Sequence, residues 1–135
     1  MRLSLIVPCL NEADGIVQAL AALQPLRQQG HEVIVVDAGD DDTARLATPL
    51  ADRVLRAPRG RALQMNRGAE LASGAVLLFL HADTRLPPSA ADAIASGLAR
   101  TGRCWGRFDV RLSGPQALLR VVERLMNWRS RLTGI

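Results

Sequence analysis

Val76-Leu77-Leu78-Phe79-Leu80-His81-Ala82-Asp83-Thr84 is an apolar run that passes directly into a short polar turn closed by a carboxylate. A continuous apolar stretch of this length, bounded by turn residues, reads as a strand covered on both faces, over Ala75 to Leu80. In an open α/β sheet the ligand crevice lies outside the carboxyl ends of the strands. The turn His81-Ala82-Asp83-Thr84 therefore stands where a metal ion or a polar substrate binds, and Asp83 is the first residue to suspect of chemistry. Taken alone, Asp83 would serve equally well as a turn aspartate ahead of Pro87.

Upstream, Arg61 to Ala72 reads as a helix rich in small residues, stopped by Ser73-Gly74. Ahead of it come Pro58-Arg59-Gly60, a strand near Arg53 to Arg56 and a short helix through Leu46. Glu32 to Asp37 carries Val33-Ile34-Val35-Val36 and reads as a second buried strand, opening into the acidic turn Ala38-Gly39-Asp40-Asp41-Asp42-Thr43. Asp41 and Asp42 are expected to be solvated, and His31 to be an ordinary surface residue ahead of the strand. Leu3 to Pro8, interrupted only by Ser4, is another apolar run. One helix should follow it: Asn11 can cap it, Glu12 and Asp14 favour its positive end, and Ile16, Leu20, Leu23 and Arg27 share a side until Gly30. Downstream of Asp83, Pro87-Pro88-Ser89 starts a helix with Ala91, Ile94, Ala95 and Leu98 inward. This alternation predicts an α/β fold: a mostly parallel, Rossmann-like sheet flanked by helices, with right-handed crossovers.

The last third differs. Cys104 to Leu112 reads as a strand of mixed polarity, and Ser113-Gly114-Pro115 starts an amphipathic helix over 115–133. Arg120, Arg124, Asn127 and Arg131 line a polar stripe, while Leu118, Leu119, Val121, Val122, Leu125, Met126 and Trp128 cover most of the rest. So wide an apolar face needs a partner: the sheet in first place, and a membrane surface or a second copy of the chain in the alternative.

The 135 residues, 48% of them hydrophobic, suffice for one domain whose core needs no staple. Cys9 and Cys104 show neither a disulfide-scaffold nor a zinc-ligand spacing and read as buried, inert thiols in a reducing cytosol. The start of the chain lacks a signal-peptide pattern, and the apolar run Ala75 to Leu80 is far short of the ~20 residues that cross a bilayer. The expectation is a cytoplasmic protein, peripheral at the inner membrane face if the last helix lies on lipid. Net charge is +4 and all 17 basic residues are arginine. No nucleic-acid partner is expected, because with no Tyr, two Phe and two Trp there is little for bases to stack on.

Three strand ends bring polar groups to one edge: Pro8 to Glu12, Asp37 to Thr43, and His81 to Thr84. The first is not a Gly-x-Gly-x-x-Gly loop, and a chain without lysine has no Walker loop. A divalent cation remains as the way to hold a diphosphate. Mg2+ and Mn2+ use one or two carboxylates and take their other ligands from water and phosphate, a demand that Asp83 meets.

With these residues in place, the chain resembles the family 2 glycosyltransferases of GT-A fold over essentially its whole length. Leu5-Ile6-Val7-Pro8-Cys9-Leu10-Asn11-Glu12 is similar to that family's opening strand and nucleotide loop, and Val35-Val36-Asp37-Ala38-Gly39-Asp40-Asp41-Asp42-Thr43 to its second strand. Gly60 to Ala69 resembles the segment that supplies a basic residue near the nucleotide, and Phe79-Leu80-His81-Ala82-Asp83-Thr84 stands in place of its Asp-x-Asp motif. The likeness is closer to a bacterial subgroup whose motif reads His-Ala-Asp-Thr, matched later by Gly106-Arg107-Phe108 and by Asn127 to Leu132.

The resemblance implies an enzyme that transfers a sugar from a nucleotide diphospho-sugar to an acceptor it leaves unidentified. Residues 1–100 would form the nucleotide-binding half and 101–135 the strand and amphipathic helix of one GT-A-like domain. Pro8, Asn11, Glu12, Asp37, Gly39, Arg61, His81 and Ala82 would bind the nucleotide, with Asp37 at the base and His81, which replaces the motif's first aspartate, near the ribose. Asp83 would hold Mn2+ or Mg2+. The family's acceptor-shaping part and its carboxylate base are expected beyond residue 135, leaving a C-terminally shortened domain. Two other classes stay open. A sugar nucleotidyltransferase should carry a glycine-rich loop with a basic residue after the first strand; a non-catalytic or assembly-dependent nucleotide-sugar-binding module would join a partner through its last helix.

Overall fold

The computed structural model describes residues 1–133. It divides into two compact units, Met1–Ala95 and the segment from Ser96 onward. The first is built on four parallel strands, β1 (Leu3–Cys9), β2 (Glu32–Asp37), β3 (Arg53–Arg56) and β4 (Val76–Phe79), in the order β3-β2-β1-β4. Helices α1 (Ile16–Ala21) and α2 (Gln24–Gln28) link β1 to β2, α3 (Thr43–Ala47) and a 3-10 turn link β2 to β3, and α4 (Arg61–Leu71) precedes β4. α5 (Ala90–Thr101) follows β4 and runs across the boundary between the units.

The two central strands carry side chains to both faces. Leu3, Leu5, Val7, Val33 and Val35 pack with Ile16, Leu20, Leu23 and Leu26, and on the other face Ile6, Ile34 and Val36 meet Ala69 and Ala72. Each fully buried Leu, Ile or Val contributes roughly 1.5–3 kcal/mol. α4 approaches so closely that a Cβ on Gly68 would stand 2.5 Å from the Ile6 side chain.

The amino ends of the strands are tied by a buried polar network. Ser4 donates its hydroxyl to Glu32 at 2.6 Å and accepts the Gly74 N–H at 2.8 Å, while Ser73 gives Glu32 both its N–H and its hydroxyl. Burial pushes the Glu32 carboxyl up, but hydrogen bonds from Ser4 and Ser73 and the charge of Arg2 outweigh it and hold it below its ordinary value. Asp52 is likewise driven up by burial and brought below its ordinary value by the Val33 N–H and Arg27.

Several sequence expectations change. β4 is an edge strand, not one covered on both faces: Val76 and Leu78 are half-buried, but Leu77 and Phe79 are exposed. The helix expected after β1 is broken between Ala21 and Gln24, where Pro25 lacks the N–H that would continue the ladder and opens a second helix instead. Asn11 does not cap it; it sits in the loop at φ 54°. His31 is buried and its Nδ1 accepts the Leu3 N–H at 3.2 Å.

In the second unit Cys104 to Leu112 forms no strand, and Cys104 is exposed rather than buried. The extended segment lies along the polar stripe of α6 (Ala117–Thr133), where Asn127 accepts the Val110 N–H at 2.8 Å and donates to its carbonyl at 3.0 Å, as a neighbouring strand would. Arg120 binds the Leu112 carbonyl and Glu123, and Arg131 pairs with Asp109. The polar face of α6 is thus the covered one. On the other side of α6, Leu118, Val121, Leu125 and Trp128 are 50–70% exposed. Among the described residues no helix is long and apolar enough to cross a membrane.

Candidate functional site

At the carboxyl edge of the sheet, the loops after β1 and β4 and the start of α4 enclose a cavity of about 270 Å3. Pro8, Glu12, Arg61, His81, Ala82 and Asp83, six of the residues singled out in the sequence, line it together. Leu10, Arg59, Gly60 and Gln64 complete the wall. A second hollow of about 170 Å3 shares Ala82 and Asp83 with the first and is bounded by Gly15, Gln18, Ala19, Ala22, Thr84 and Arg85.

Asn11, Asp37 and Gly39 are not among the lining residues; they build the wall's support. Asp37 is fully buried, one oxygen accepting the Gly39 N–H at 3.0 Å and the other paired with Arg56. Asn11 Oδ1 accepts the Asp40 N–H at 3.1 Å, and a Cβ on Gly39 would collide with Asn11. Asp40, Asp41 and Asp42 are exposed, as expected, but Asp41 is also engaged by the protein. Asp41 accepts the N–H groups of Ala13 and Thr43, and the hydroxyl of Thr43, the largest cause, holds its carboxyl below the ordinary value. Thr43 in turn accepts the Glu12 N–H at 2.9 Å, so the turn after β2 fixes the loop after β1. Beneath them, burial first and the carboxylates of Glu12, Asp37 and Asp41 after it push the Cys9 thiol up to about 12, which makes it inert.

Sequence reasoning missed Gln64 and Arg59. Gln64 donates from Nε2 to the carbonyls of Cys9 and Val36 at 2.7 and 2.8 Å, bolting α4 to the carboxyl ends of β1 and β2. The available signal was a polar residue one turn from Gly68 on the inward face of α4, the only two buried positions of that helix.

Among the described residues, the side chains of Arg59, Arg61 and His81 have no protein partner, and Asp83 has only the Thr84 hydroxyl beside it at 3.2 Å. No three His, Cys, Asp or Glu groups among the described residues cluster into a closed metal cage. Among the residues that line the cavity, the exposed Asp83 carboxylate is of the type that a hard dication uses when it takes most of its coordination from substrate oxygens and water.

Comparison with known proteins gives these features a setting. An uncharacterized protein of Mycobacterium tuberculosis, MT1568, is 34% identical over 101 residues, which are 69% of this chain and 31% of that protein. Glucosyl-3-phosphoglycerate synthase of Mycobacterium tuberculosis, solved with Mn2+, uridine diphosphate and glucosyl-3-phosphoglycerate, superposes with a TM-score of 0.61 at 24% identity, over 74% of this chain and 40% of that one. The mannosyltransferase PcManGT of Pyrobaculum calidifontis, solved with GDP-Man and Mn2+, gives 0.59 at 28% identity, over 72% of this chain and 31% of that one. The chain thus spans roughly a third of the length of the curated relative it matches. The parallel sheet flanked by helices is the GT-A fold of these neighbours. Since the family model described as glycosyl transferase family 2 matches residues 4–131, nearly the whole sequence, the chain belongs to that family.

Proposed function

We propose that the cavity binds a nucleotide diphospho-sugar and that this chain serves glycosyl transfer from it to an acceptor. The observation that carries the reading is the convergence of Glu12, Arg61, His81 and Asp83, none of them neutralised by the fold, on one cavity at the carboxyl edge of a parallel sheet. Arg61 and Arg59 offer donor-only guanidinium groups to phosphate oxygens. His81 lies beside Asp83 in the motif and hydrogen-bonds a ribose hydroxyl. Asp83 holds Mn2+ or Mg2+, which when bound neutralises charge on the departing diphosphate. Asp37 acts through the backbone: with its oxygens engaged by Gly39 and Arg56, it fixes the loop wall rather than reading the base.

Isothermal titration with UDP and GDP, with and without Mn2+, tests this. Asp83→Asn should weaken the Mn2+-dependent affinity by at least roughly tenfold, the lower end of what losing a group that merely supports a metal ligand costs, and leave the metal-free affinity alone. An unchanged affinity in Mn2+ would remove the metal role from Asp83. A second reading, a binding module that acts only within an assembly, is favoured by the exposed apolar face of α6. Sugar-nucleotide hydrolysis or transfer by the isolated chain, monomeric in size-exclusion, would rule that out.

A further inference from the structure

Gln64 is the one strongly buried polar side chain in the cavity wall, 4% exposed. Its two contacts, the carbonyls of Cys9 and Val36, are pure acceptors, so the amide nitrogen must face them and both of its protons are consumed. Oε1 then points the other way. It has no partner among the described residues, yet no buried side-chain nitrogen or oxygen among them is left unsatisfied, so this oxygen opens onto accessible space, which for Gln64 is the cavity.

A carboxamide oxygen with its nitrogen already spent can only accept. It cannot bind a phosphate oxygen, whereas Arg59 and Arg61 in the same wall can only donate. The polarity of the wall therefore separates a part that takes the diphosphate from a part, at Gln64, that takes a donor group. The amide is held from two strand ends and one helix, so presenting this oxygen costs no ordering when ligand binds.

We propose that Gln64 is a specificity-determining residue of the site, its Oε1 accepting a hydrogen bond from the nucleoside: the imide N–H of the base or a ribose hydroxyl. This rests on the nucleotide-sugar reading above and adds which half of the ligand lies against α4.

The test uses whichever of UDP and GDP the full chain binds in Mn2+, its 2′-deoxy form, and its form methylated at the imide nitrogen. Against the wild-type protein, the analogue that lacks the relevant donor binds roughly tenfold more weakly, the cost of leaving a fixed acceptor unpaired. In Gln64→Met that loss disappears, although all affinities are lower. Loss with the methylated base identifies the imide, loss with the 2′-deoxy form the ribose. Because Gln64→Met also removes two bolts and can impair folding, the carboxamide 13C resonance of Gln64 in the labelled wild-type protein gives a second readout: it moves with the parent nucleotide and not with the discriminated analogue. Equal losses in both proteins, no loss with either analogue, or a resonance indifferent to the analogue overturns the proposal while the nucleotide reading stands. Failure of the wild type to bind either nucleotide removes both.

Discussion

The two ends of one sheet are finished in opposite ways. At the amino ends of the strands every polar group described above has a protein partner: Glu32 takes Ser4 and Ser73, Ser4 takes Gly74, and Asp52 takes Val33 and Arg27. At the carboxyl ends Arg59, Arg61 and His81 face a cavity with none among the described residues. Buried polar groups left without partners cost about 1–3 kcal/mol each, so a fold closes them wherever it can. Where it keeps such groups open to solvent instead, water satisfies them and they stay free to meet a ligand. One end of the sheet holds the fold together, and the other carries the cavity for which nucleotide-sugar binding is proposed.

Glu32→Ala is the sharpest way to break that contrast. It strips the acceptor from the buried Ser4 hydroxyl and from the part-buried Ser73 N–H, which water can reach, and at about 1–3 kcal/mol for a buried donor left unpaired the cost should be about 2 kcal/mol. Urea unfolding followed by circular dichroism reads this directly, and the fraction still folded should bind nucleotide as the wild type does. Arg61→Ala is the mirror experiment. The guanidinium is exposed and has no partner among the described residues, so stability should move by less than about 0.5 kcal/mol, while UDP or GDP affinity in Mn2+ falls roughly tenfold and depends less on salt. If Arg61→Ala destabilises as Glu32→Ala does, the division of labour between the ends is wrong.

The same contrast explains what could be read in the chain of letters. Continuous apolar runs such as Val33-Ile34-Val35-Val36 announce β2, because a strand flanked by others and covered on both faces admits little else. The site's outline followed from topology, since parallel strands deliver their following loops to one edge. Side-chain bookings were not legible. Asp37, expected at the nucleotide, is buried and engaged by Arg56, opposite it across the β2–β3 ladder, a pairing that no local pattern encodes. Gln64 looks like an ordinary helix residue until its position under two strand ends is known. Cys104 to Leu112 has the mixed polarity of a strand, but its backbone is met by side chains of α6 at a separation no local pattern encodes.

The smallest expected effect is the dependence on acid. Glu32 and Asp52 have carboxyls held below their ordinary values of 4.5 and 3.8 in the folded chain, in both cases because hydrogen bonds and arginine charge outweigh burial. As pH falls, the unfolded chain takes up these protons first and the folded chain resists, so proton uptake favours unfolding. Their contribution is complete above the ordinary values and is lost as pH descends below 4.5 and then 3.8 toward the lowered native values. Unfolding free energies measured from pH 6 downward should therefore be flat and then decline through that window. Glu32→Ala, weaker throughout, should decline less steeply, because the Glu32 share of the linkage is gone while those of Asp52, Asp41 and Asp42 remain. A parallel decline in both proteins would mean that the Glu32 network carries hydrogen bonds but no proton linkage, and the amino end of the sheet would owe its stability to geometry alone.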